Sequence, residues 1–134
     1  MAGRTVHECR ERGNPDGSIT KDQAGKYLAA VVDDRASATN DEPGVIPVRL
    51  GIASKRVIGE IISYQHEDSC LLETGCAVLQ ATVSYAPAMH GQGVVSAANG
   101  QVTANANGVG TIVGGGLRTV GTSNVPVLYV RNLI

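Results

Sequence analysis

From Tyr27 onward the chain alternates short aliphatic, β-branched runs with polar turns. Tyr27–Val32 is the first such run and predicts a strand. Val45–Leu50 predicts a second. Pro47 assigns it to an edge or an irregular strand, because proline cannot donate to a ladder. Arg56–Tyr64 carries Val57, Ile58, Ile61 and Ile62, a composition suited to a pleated, half-buried surface. Cys70–Leu72 and Cys76–Val83 follow, split by Gly75. Between these runs, Asp33–Gly44 reads as a polar loop and Glu67-Asp68 as a turn.

The last third is the most legible. Gln92–Ala97 and Gln101–Ala104 flank Asn99-Gly100. Asn-Gly is a strong hairpin signal, because a type I′ turn needs positive φ at both central residues. Asn107-Gly108 predicts a second reversal, before Val109–Val113. Gly114-Gly115-Gly116 then predicts a break or bulge, and Val125–Leu133 a terminal strand. No segment after Tyr27 holds a 3.6-residue apolar period over three turns. Short strands with glycine-rich turns predict an all-β fold, a small sandwich or barrel-like domain of antiparallel strands.

Residues 1–26 differ. They hold five basic and four acidic side chains, with Asn14-Pro15-Asp16-Gly17 as turn chemistry. With no apolar face, this segment reads as a polar N-terminal arm laid on a partner. The β-domain is then residues 27–134. Arg4, Arg10 and Arg12 are the arm's candidate interface residues, because guanidinium forks suit carboxylate recognition at interfaces.

Composition alters the picture in two ways. The 134 residues include no Trp, no Phe and four Tyr. Aromatic side chains bring the largest buried areas, so the core must be thin, and homo-oligomerisation is the expected remedy. Charge is also segregated. Residues 1–76 carry 9 basic and 12 acidic side chains, whereas 77–134 carry only Arg118 and Arg131 and no acid. Charge is depleted in the centres of protein interfaces, so the second part reads as an intersubunit surface, with Arg118 a further candidate contact. A net charge of −1 gives no electrostatic footprint for nucleic acid or membrane. With no apolar segment after Met1 and no spanning run, the chain reads as soluble.

Candidate chemistry is sparse. His66, Cys70, Cys76 and His90 lack the tight spacing of structural zinc pairs. Cys76 with His90 lacks a nucleophile motif. Asp33-Asp34, Asp41-Glu42 and Glu67-Asp68 read as solvated loop charges. Gly91-Gln92-Gly93 and Gly108-Val109-Gly110 complete no phosphate loop. The three cysteines, Cys9, Cys70 and Cys76, form no disulfide framework. The expectation is a non-enzyme without metal or cofactor, keeping reduced thiols.

One resemblance bears on function. It is carried by Val57-Ile58-Gly59-Glu60-Ile61-Ile62, then Gly75-Cys76-Ala77-Val78, the run Gly91–Ala104 and Val109–Val113. In texture and order, Arg56–Arg118 resembles the capsid decoration, or cement, proteins of tailed bacteriophages. The Asp33–Gly44 loop and the cysteines depart from that family. The resemblance implies a virion protein on the outer capsid surface, made in the host cytoplasm. Its partners are then the major capsid protein and its own copies, with a trimer ahead of a dimer. The other classes open at this point are a tail- or fibre-associated β-domain and a small-ligand-binding β-barrel. A ligand barrel calls for aromatic pocket walls, which this chain scarcely has.

Overall fold

A computed structural model describes residues 10–33, 45–66 and 69–134. Five strands close a barrel: β1 (Arg10–Pro15), β2 (Ala29–Val32), β3 (Ile46–Leu50), β4 (Val57–His66) and β5 (Ser69–Glu73). Their order around the wall is β1-β3-β2-β4-β5. β1 and β3 are parallel, and the other neighbours antiparallel. β6 (Cys76–Gln80), β9 (Thr111–Val120) and β10 (Ser123–Arg131) form a second sheet in the order β6-β10-β9, and β7 (Gly93–Ser96) pairs with β8 (Val102–Asn105). The chain is therefore all-β, and of the two expected architectures it takes the barrel, with two small sheets attached.

The period of two along a strand divides the apolar residues between two cores. Ala30, Val48, Ile58, Ile61, Cys70 and Leu72 fill the barrel, together with Ile19. Ala29 and Val57 point the other way, onto Leu79, Val94, Val102, Ile112, Leu128 and Val130 of the attached sheets. β4 serves both cores because Ile58 is an extra residue opposite β2, where the pairing steps from Ala30↔Gly59 to Val31↔Val57. Such a bulge re-aims the side chains on either side of it.

The arm boundary at residue 26 needs correction. Residues 1–9 lie outside the described residues. From Arg10 the segment is barrel wall: β1 pairs with β5 from Arg10↔Glu73 to Gly13↔Cys70 and with β3 from Gly13↔Ile46 to Pro15↔Val48. β1 contributes backbone rather than apolar side chains, which is why hydropathy misses it. A Cβ on Gly13 would stand 2.9 Å from Val48 Cγ2.

Pro47 also departs from expectation, for β3 lies between β1 and β2 and is no edge. The last β2–β3 pair is Val32↔Val48, so the amide that Pro47 lacks falls beyond the ladder. Its carbonyl still accepts the Asp33 N–H at 2.8 Å.

Asn99-Gly100 forms the expected turn between β7 and β8. Asn99 has φ 59° and ψ 32°, Gly100 has φ 76°, and the Gln101 N–H donates to Ala98 O at 3.2 Å. These are type I′ dihedrals. Asn107-Gly108 behaves differently. The Gly108 N–H closes a turn onto Asn105 O at 2.9 Å, but Val109 then pairs with Val94 of β7, not with β8. The connection crosses the end of β7, and Gly108 is needed because a Cβ there would meet the Val94 backbone at 2.5 Å.

Candidate interaction surface

The two edges of the β6-β10-β9 sheet differ. The β6 edge is sealed against the barrel. The Val78 N–H donates to Glu60 Oε1 at 2.8 Å, and the Gln80 N–H donates to Tyr27 O at 2.7 Å. The Gln80 side-chain amide adds a bond to Lys26 O at 2.8 Å. This double grip holds Tyr27 at φ 63°, an uncommon conformation for a non-glycine residue.

The β9 edge is closed only at its start, where Ile112 O accepts from Gly91 N at 2.9 Å and the Ile112 N–H donates to Gln92 O at 2.7 Å. Val113 is then an extra residue, between the pairs Ile112↔Val130 and Gly114↔Tyr129. Val78 turns its N–H away from β10, so Tyr129, opposite it, turns toward β9 and bonds Gly114. Antiparallel alternation then aims Gly116, Arg118 and Val120 inward at β10 and Gly115, Leu117 and Thr119 outward. Among the described residues, nothing meets those outward N–H and C=O groups.

The three glycines run through β9 without breaking it, contrary to expectation, and the bulge lies one residue earlier. Glycine is required at Gly115, and rings lie over the strand on both faces. A Cβ on Gly115 would stand 2.4 Å from Tyr85 Cβ, and on Gly114 and Gly116 it would stand 3.2 and 3.1 Å from Tyr129 atoms. Aromatic cover of this kind rescues glycine in strands.

On the Tyr129 face, the Arg118 guanidinium carbon lies 5.6 Å from the Tyr27 ring centroid and 5.7 Å from that of Tyr129, within cation–π range of both. Contact with Tyr129, then Tyr27, pushes the guanidinium pKa up further. The opposite face carries Leu117, 62 % exposed and the most exposed large apolar side chain among the described residues.

Scans against protein-family models, curated proteins and solved structures find no match to this chain.

Of the four candidate contact residues, Arg4 lies outside the described residues. Arg10 Nε donates to Glu73 Oε1 at 3.1 Å, and Arg12 Nε donates to Ser69 Oγ at 3.3 Å. Both lie along β1 in the barrel wall rather than on a separate arm. Arg118 alone sits on the charge-poor sheet. The candidate metal residues are not gathered: among the described residues no group of three or more His, Cys, Asp or Glu is placed to hold an ion. Cys70 and Cys76 are free thiols, and Cys9 lies outside the described residues. Burial pushes the Cys70 thiol up to about 11. His90 Nδ1 approaches the Tyr85 hydroxyl at 3.5 Å.

The carboxylates also redistribute. Asp34, Asp41, Glu42, Glu67 and Asp68 lie outside the described residues. Asp33 is buried, not solvated, because its backbone carries on from β2 against β3. Glu60 and Glu73, which no local sequence pattern marks, are buried and directly paired across β4 and β5. Glu73 Oε2 accepts the N–H groups of Gly75 and Cys76 at 3.0 and 3.3 Å. Burial pushes Glu60 up to about 7; the Val78 N–H opposes this, the Glu73 charge adds to it, and Arg10 and Arg118 oppose it. Both carboxylates join barrel to sheet. Tyr27, Gln80, Leu117 and Tyr129 join the surface only through the fold; the one sequence signal near them is the Gly114–Gly116 run followed by Leu117 and Arg118.

Proposed function

We propose that this protein is a capsid decoration protein, a structural module that binds the outer surface of a virus shell and ties major capsid subunits together. The observation that carries the binding reading is the charge-poor β6-β10-β9 sheet. One edge is sealed onto the barrel, and the other is open beside exposed Leu117 and the aromatic-held Arg118. The charge-poor faces of such a sheet suit the centre of a protein interface, and its open edge is free to take a strand of a neighbouring chain, a second copy included. The capsid enters through the resemblance of Arg56–Arg118 to decoration proteins. The barrel offers a frame rather than a ligand lumen, since apolar side chains occupy its interior.

The test is co-sedimentation of purified protein with undecorated capsids of the virus that encodes it. Saturable binding that raises the melting temperature of the shell is the expected result. No pelleting with capsids, or attachment to tails alone, contradicts the reading.

A further inference from the structure

We propose that the outer edge of β9 pairs antiparallel with the same edge of a second copy of this chain. The product is a two-fold dimer with a continuous six-stranded sheet. Few strand edges are open among the described residues. The barrel is closed. The β6 edge is taken by Glu60 and Tyr27. β7 lies between β8 and Val109. The far side of β8, four residues long, is met at Val102 by Ala81 and Thr82. That leaves Gly115, Leu117 and Thr119 of β9 as the one extended open edge.

A single open edge decides the symmetry. Head-to-tail assembly needs two different complementary surfaces, whereas like-to-like pairing is isologous and closes at two. Edge pairing therefore favours the dimer over the trimer that the family resemblance suggests.

The strand is also self-complementary. Antiparallel pairing centred on Leu117 sets Leu117 against Leu117, Gly115 against Thr119, and Arg118 against Gly116. The two exposed leucines cover each other, and the two guanidiniums are staggered rather than opposed. Natural edges discourage pairing with charges, proline or bulges along their length. From Gly114 to Val120 this edge has Arg118 as its only charge and no proline, and its bulge lies before the open part. The dimer forms from the chain alone, so the inference stands or falls independently of the capsid reading.

The experiment is sedimentation equilibrium of the full chain over micromolar concentrations, with two variants. Leu117→Lys brings two ammonium groups together at the two-fold axis. Leu117→Pro removes an N–H that bonds nothing within its own chain. The wild type is expected to be a dimer, and each variant to dimerise on the order of tenfold more weakly or worse. Wild-type amide hydrogen exchange gives a readout free of any folding defect in the variants. Gly115, Leu117 and Thr119 should gain protection as concentration rises. A monomeric or trimeric wild type, a dimer indifferent to both substitutions, or exchange at these three amides independent of concentration would overturn the proposal.

Discussion

The buried carboxylate of Glu60, on the barrel strand β4, accepts the backbone N–H of Val78, on β6, at 2.8 Å. One side chain thus covers the β6 edge at Val78, beside the Gln80–Tyr27 bond, and fastens the attached sheet to the barrel. It does so at an energetic cost, because a carboxylate taken out of water resists ionisation.

That cost makes stability depend on pH. The folded chain holds the Glu60 proton up to about 7, against 4.5 for an unburied glutamate. Between those values the folded state binds more protons than the unfolded state, so stability falls as pH rises. The contribution is full below 4.5 and lost above about 7, and amounts to roughly 3 kcal/mol. Glu60→Gln keeps an acceptor for Val78 and removes the titration. Urea unfolding at pH 5 and pH 8 should show the wild type losing more stability than the variant. Equal losses would contradict the assignment.

Gly100→Val should be costly. The residue sits at φ 76°, and a Cβ would stand 2.7 Å from Leu50 Cδ1. Backbone strain and overpacking together come to about 3 kcal/mol. Asn99→Asp, which tolerates the left-handed region, should cost far less. Thermal melts of the two variants check the contrast.

Deleting residues 1–22 should unfold the protein. The deletion removes β1, which closes the barrel between β3 and β5, and takes Ile19 from the core. Deleting only residues 1–9 leaves every described ladder pair in place and should preserve the circular dichroism spectrum. A folded 23–134 fragment would refute the closed barrel.

Cys70 should resist alkylation at pH 8 until the chain unfolds. It is fully buried, and its thiol is pushed up to about 11, so the reactive thiolate is scarce. Half-buried Cys76 should react first. Mass mapping of the labelled sites distinguishes the two.

Strand positions in the second half could be read from β-branched runs and from Asn99-Gly100, because local turn chemistry and alternation set them. What escaped depends on partners distant in sequence. β1 has few apolar side chains, and only its neighbours β3 and β5 make it a strand. Pro47 reads as an edge until it is seen to lie just past the last β2–β3 pair. Gly114–Gly116 reads as a break because the rings that cover it come from Tyr85 and Tyr129. Of the interaction surface, Arg118 was visible as one of only two cations, with Arg131, in a charge-poor stretch. The open edge was not, since edges belong to sheet order rather than to any one segment.

A cryo-electron microscopy difference map between capsids with and without this protein tests directly whether it decorates the shell. Added density is expected at regular sites on the outer shell, bridging neighbouring major capsid subunits, with the β6-β10-β9 sheet buried in contacts. Density confined to the tail, or a shell map unchanged by the protein, would contradict it.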